Sequence, residues 1–129
     1  TKKNNSYPFL IFLIGELGAG KTTLCKGILR GLGHKGVVKS PTYNLVETYE
    51  ISGFSIFHFD FYQISHPKEL SNIGIQEYLD TNNGVSIIEW PEKMISFLPD
   101  PDIEIILNHS ENNEEERTLE IKSKDSIDL

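Results

Sequence analysis

The stretch GELGAGKTT, Gly15 to Thr23, constrains this chain more than any other, because it sets three glycines, a lysine and two threonines directly behind a run of pure hydrophobe. Gly15, Gly20, Lys21 and Thr22 fall on the spacing G-x-x-x-x-G-K-[ST], the pattern of a phosphate-binding P-loop. Glycines lack a Cβ, so the chain can turn until successive backbone N–H groups converge on phosphate oxygens. In such a cradle Lys21 lies against the β- and γ-phosphates and the Thr22 hydroxyl holds Mg²⁺. A helix starting near Gly20 adds the partial positive charge of its N-terminus. Gly15, Glu16, Leu17, Gly18, Ala19, Gly20, Lys21, Thr22 and Thr23 are therefore the candidate phosphate-binding residues.

Four fixed positions match by accident on the order of once in two hundred chains of this length, with glycine at about 7% of residues, so the surroundings decide. A cradle of this kind needs a strand before it and a helix behind it. Phe9 to Ile14 is a continuous apolar run of strand length, as in a strand buried on both faces of a parallel sheet. Leu24, Cys25, Ile28, Leu29 and Leu32 recur at helical spacing, and Gly33 supplies a stop. The expected fold class is α/β: a P-loop NTPase fold with a mostly parallel central sheet flanked by helices and antiparallel hairpin additions.

At 129 residues the chain is expected to form a single domain spanning residues 1–129. Its formal net charge of −7 argues against a surface that grips nucleic acid by itself, since that needs clustered Lys and Arg. Any role near RNA is expected to be indirect. Cys25, the single cysteine, lies on the apolar face of the first helix and reads as a small core residue in a reducing cytosol. No apolar run approaches the ~20 residues that span a membrane, and no secretory signal precedes the first strand. The expected location is cytoplasmic, with no membrane partner.

Beyond the first helix, Gly31, Gly33 and Gly36 mark a connection that leads to Ser40-Pro41-Thr42. A Thr in this loop suits a γ-phosphate or Mg²⁺ sensor; an ordinary Pro turn explains it equally well. Asn44 to Glu50 and Phe54 to Asp60, joined through Ile51-Ser52-Gly53, read as an antiparallel hairpin. Within FHFDFYQI, alternation sets His58, Asp60 and Tyr62 on one strand face and Phe57, Phe59 and Phe61 on the other. Zinc is a poor explanation for His58, because no cysteine or second histidine stands at ligand spacing. Leu70, Ile73, Ile75 and Leu79 give an interrupted helical stripe after Pro67. Asp80 to Gly84 is a turn that launches VSIIEW, a second apolar strand ending at Glu89. Ligands of open α/β sheets sit at that end of the strands, and an acid there has the form of a Walker B carboxylate for Mg²⁺. Without a metal, Glu89 is expected to be a buried and unpaired charge. Trp90 either stacks on a base or caps the core. Two further strands, Asp102 to Leu107 and Arg117 to Lys122, flank an acidic turn.

Taken in order, GELGAGKTT, SPTY, HFDFY, IEWPE and LPDPDIEI resemble the TsaE family, also called YjeE, over about residues 9–107. These are small bacterial P-loop ATPases of the pathway that makes threonylcarbamoyladenosine (t6A) at adenosine 37 of tRNA. The resemblance implies an ATPase using ATP and Mg²⁺ and acting with the TsaB and TsaD proteins, of which TsaD carries out transfer to tRNA. It implies that Lys21 and Thr22 hold phosphate and Mg²⁺ and that Thr42 lies in a switch-like loop. Asp60 becomes the acid of the H-x-D-x-Y motif, Glu89 the metal-side glutamate and Trp90 the nucleotide-side tryptophan. The chain departs from the family at Gln63, where an arginine is usual, and the family's N-terminal helix is expected to be missing from these residues.

Two acids then compete for the metal. Glu89 takes it because its strand reads as central and buried, leaving Asp60 to orient water or the switch loop. The expected catalytic set is Lys21, Thr42, Asp60 and Glu89. Arg30 and Arg117 are the only arginines, and neither stands where a finger would, although such a group can be worth about 10³–10⁵ in rate. Hydrolysis by the protein alone is therefore expected to be slow. A small-molecule kinase would need a basic lid, and a GTP switch an N-K-x-D guanine reader; neither is present. A non-catalytic nucleotide-binding scaffold would use overlapping residues and stays open.

Overall fold

Strands buried on both faces need cover on both sides, and the apolar runs find it in one sheet. The computed structural model describes residues 8–16, 20–39, 41, 44–109 and 117–123, with no side chain described at 109 or 117. It contains β1 (Phe9–Gly15), α1 (Lys21–Leu32), β2 (Val46–Ile51), β3 (Phe54–Asp60), α2 (Lys68–Ile73), α3 (Ile75–Leu79), β4 (Gly84–Glu89), β5 (Ile103–His109) and β6 (Arg117–Ser123). A 3₁₀ segment, Pro91–Phe97, lies between β4 and β5 and breaks at Met94. The strand order is β2-β3-β4-β1-β5-β6. The four inner strands run parallel, and β2 and β6 pair antiparallel at the two edges.

Each face of the sheet has its own core. α1 covers Ile11, Leu13, Ile56, Ile87, Ile105 and Leu107 with Cys25 and Leu29. The opposite face buries Phe12, Phe57, Phe59, Phe61 and Ile88 beneath Leu70, Ile75, Leu79 and Met94. Phe57, Phe59 and Phe61 thus share one core, as their alternation predicts. Leu32, in contrast, is 48% exposed at the end of α1. The helical stripe overshoots there, since Leu32 keeps the spacing without being buried.

Local chemistry sets the element ends. Ser52 and Gly53 both have positive φ, the backbone of the tight turn that matches the twist of a two-stranded hairpin. Gly33 (φ 113) closes α1 by donating its N–H to the Arg30 carbonyl, and His34 N–H reaches Leu29. Gly74 splits the stripe after Pro67 into α2 and α3. Asp102 locks the start of β5 to β1: its Oδ2 accepts the Leu10 N–H at 2.8 Å and its own N–H donates to the Leu10 carbonyl at 2.8 Å. Among the described residues no helix is long and apolar enough to cross a membrane.

Candidate nucleotide and metal site

β1 ends at Gly15 and α1 begins at Lys21, so the first turn of the helix sits over the C-terminal ends of the parallel strands. Lys21 is only 5% exposed. Its ammonium donates to the Gly15 carbonyl at 2.6 Å and lies 3.4 Å from the centre of the Trp90 ring. Burial holds its pKa below the usual lysine value, against the opposing pull of Glu89, Glu92 and Asp60. Thr22, one residue on, directs its hydroxyl at Glu89, 3.2 Å from Oε2 and 3.4 Å from Oε1. A hydroxyl and a carboxylate this close are hard oxygen donors suited to Mg²⁺, which is usually held by one or two protein oxygens together with substrate phosphates. No cluster of three or more His, Cys, Asp or Glu able to hold a metal occurs among the described residues.

Glu89 is 3% exposed but not unpaired. His58 Nε2 lies 2.6 Å from its Oε2, which corrects the expectation of a lone buried charge. The parallel register of β3 and β4 sets His58 beside Ile87 and Asp60 beside Glu89, so His58, Asp60 and Glu89 share the α1 face of the sheet. His58 is completely buried within the site. Asp60 is half-buried; burial raises its carboxyl pKa, the Tyr62 N–H lowers it, and the nearby Glu89 charge adds to the rise. Tyr62 does not continue that face. β3 stops at Asp60, whose Oδ1 accepts the Tyr62 N–H at 3.0 Å and turns the chain. The phenol ring then meets Trp90, 5.0 Å between centres.

Trp90 takes positive φ (61°), uncommon for a bulky residue, directly after the strand that delivers Glu89. It is half-buried, packs on the core and also lines an open cavity of about 290 Å³ with Gly15, Glu16, Glu92, Ile106 and Asn108. Both readings of this residue therefore have a surface: one side meets the core, the other the cavity. Glu16 and Thr23 are exposed, and Gly20 takes φ 103 at the start of α1. Leu17, Gly18, Ala19 and Thr42 lie outside the described residues. A cavity of about 890 Å³ at the other end of the strands, lined by Pro8, Phe54, Asp80 and Asp100 among others, is remote from this chemistry.

Sequence reasoning missed His58 as the partner of Glu89, together with Glu92, Ile106 and Asn108 as cavity walls. The first had a signal: an H-x-D ending one strand and an apolar run ending in Glu on another meet if the two strands are parallel neighbours. Arg30 is engaged elsewhere, donating to the Gly36 carbonyl at 2.5 Å and the His34 carbonyl at 3.3 Å beyond the far end of α1. Cys25 is fully buried, and burial, helped by Glu89, pushes its thiol up to about 12, as befits an inert core residue.

The family model described as Threonylcarbamoyl adenosine biosynthesis protein TsaE matches residues 1–119. The chain belongs to the TsaE family. It is 46% identical over 108 residues to the tRNA threonylcarbamoyladenosine biosynthesis protein TsaE of Haemophilus influenzae, an overlap of 84% of this chain and 68% of that protein. With the TsaE protein of Rickettsia conorii it shares 39% identity over 105 residues, 81% of this chain and 59% of the relative. The crystal structure of YdiB from Bacillus subtilis superposes with a TM-score of 0.70 at 27% identity, covering 88% of this chain and 66% of that one. The chain thus spans roughly three-fifths to two-thirds of the length of these TsaE relatives. Its fold is that of a P-loop NTPase, a mixed sheet with parallel inner strands. At Gln63 this chain carries an exposed amide in the turn after β3.

Proposed function

We propose that the protein is a Mg²⁺-dependent ATPase that supports formation of t6A on tRNA, acting with the TsaB and TsaD proteins. Membership of the TsaE family supports the pathway. The observation that most supports the chemistry is the approach of the Thr22 hydroxyl to the Glu89 carboxylate at 3.2 Å, which joins the helix behind the glycine loop to the end of a central strand. On this reading Lys21 and the loop Gly15–Thr23 bind the phosphates, and Trp90 lies against the nucleotide. Thr22 and Glu89 hold Mg²⁺. The metal supplies neutralisation of phosphate charge when bound. Asp60, half-buried in register with Glu89, orients the attacking water or the loop that carries Thr42. Phosphoryl transfer asks little covalent help of a protein, so positioning and charge are enough.

Hydrolysis by the protein alone is slow on this account. Arg30 is occupied in tying down the connection after α1, and an arginine finger is expected from a partner. The net charge of −7 supports a partner that handles the RNA. Product analysis after incubation with ATP tests the reading: ADP and free phosphate support it, whereas a phosphorylated metabolite, a GTP preference or intact ATP would contradict it. ATP-binding measurements with and without Mg²⁺ sort the acids. Glu89→Ala should lose Mg²⁺-dependent ATP binding and Asp60→Ala should keep it; the opposite result would reverse their roles.

A further inference from the structure

His58 has no part in the scheme above, yet it is the group in closest contact with Glu89. Its ring is completely buried, its Nε2 is 2.6 Å from Glu89 Oε2, and its Nδ1 has no partner among the described residues. A carboxylate can only accept, so Nε2 is the donor. The contact therefore places a hydrogen on Nε2, facing Glu89.

Packing alone gives no reason for this pair. Ile56 and Ile87, on the same face and adjacent in the two strands, are apolar members of the core beneath α1. Continuing that core through position 58 would avoid desolvating two polar groups, and buried polar pairs are often no more stable than the hydrophobic packing that could replace them. What His58 does accomplish is geometric. By taking Oε2 it fixes the rotation of the carboxylate, so that Oε1 and Oε2 both stay within 3.4 Å of the Thr22 hydroxyl. Partners of ligating groups act in this way, orienting the ligand and tuning its basicity.

We propose that His58 is a positioning residue for the metal: through its Nε2–H it holds the Glu89 carboxylate in the orientation that, with Thr22, accepts Mg²⁺ alongside the nucleotide. This rests on the nucleotide and Mg²⁺ reading above. The test compares ATP affinity with Mg²⁺ and with EDTA, read by Trp90 fluorescence, in the unmodified protein, His58→Leu and His58→Gln. His58→Leu should leave metal-free ATP affinity within about twofold while reducing the Mg²⁺ enhancement by about tenfold or more. His58→Gln retains an N–H near the position of Nε2 and should recover most of the enhancement. An enhancement untouched by His58→Leu overturns the positioning role and leaves the ATPase reading standing. An unmodified protein that binds no ATP fails both. Long-range ¹H–¹⁵N spectra of the unmodified protein give a second readout that needs no folded variant. They should show a hydrogen on Nε2, with the Nε2 signal moving when Mg²⁺ joins bound ATP; a bare Nε2 or an unmoved signal would overturn the proposal.

Discussion

Lys21 carries a conflict between binding and stability. The side chain is nearly buried with its charge, and burial lowers its pKa despite three nearby carboxylates. A base whose pKa falls on folding binds fewer protons folded than unfolded in the window just below 10.5. The lysine's own contribution to stability therefore rises with pH through that window, while the raised Cys25 and Tyr49 groups act in the opposite sense, and below the window the protonated lysine opposes folding in full. Lys21→Met should raise the melting temperature over the unmodified protein at pH 7 by about 2–4 °C, lose that advantage as pH approaches 10.5, and abolish ATP binding. Thermal melts across pH check this, and a lower melting temperature would mean that the contacts to Gly15 and Trp90 outweigh the desolvation. At this scale the sequence singled out Lys21, Thr22 and Glu89 by residue type and spacing, and the structure brings Thr22 and Glu89 within hydrogen-bond distance. It was not readable at His58, whose partner stands 31 positions away and is fixed only by strand register. Nor was it at Tyr62, where a side-chain bond from Asp60 ends the strand that alternation would have continued.

Among the elements, α1 delivers the site, and its glycines divide into two kinds. A Cβ built on Gly27 or Gly31 meets nothing within 4 Å, and both lie in helical backbone. Gly33 instead holds φ 113, where an L side chain is strained whatever the space around it. Gly27→Ala and Gly31→Ala should each add about 0.5–1 kcal/mol, whereas Gly33→Ala should lose about 1–2 kcal/mol. Urea denaturation of the three variants measures this, and a destabilised Gly27→Ala would mean that this face of α1 is packed. Beyond Gly33, Tyr49 holds the connection that leads toward Pro41: its hydroxyl donates to the Lys39 carbonyl and accepts the Lys39 N–H. The helix and the hairpin were legible because apolar periodicity and positive-φ residues are local signals. The end of α1 was less so, since Leu32 keeps the stripe but stays half exposed.

For the molecule as a whole, the sequence indicated an α/β fold with a mostly parallel central sheet and antiparallel hairpin additions, because a glycine loop between a fully apolar run and a helix is a local signal; that β3 and β5 join the parallel centre was not part of it. Strand order was beyond its reach. That β5 pairs with β1, and β4 fills the gap between β1 and β3, depends on contacts far apart in the chain. That order makes the site, since it brings the ends of β1, β3 and β4 together under the first turn of α1. On the proposed reading this arrangement binds phosphates and metal through Lys21, Thr22 and Glu89, while Arg30, committed to the α1–β2 connection, offers the transition state no arginine. The account's central claim is that the chain supplies a complete binding site and an incomplete catalytic one. It is tested most directly by the rate of ATP hydrolysis with and without TsaB and TsaD, measured in parallel for Lys21→Ala. The account predicts slow release of phosphate by the protein alone, a clear increase with both partners, and none above background for Lys21→Ala in either case. Fast hydrolysis by the isolated protein, no stimulation by the partners, or turnover that survives Lys21→Ala would contradict it.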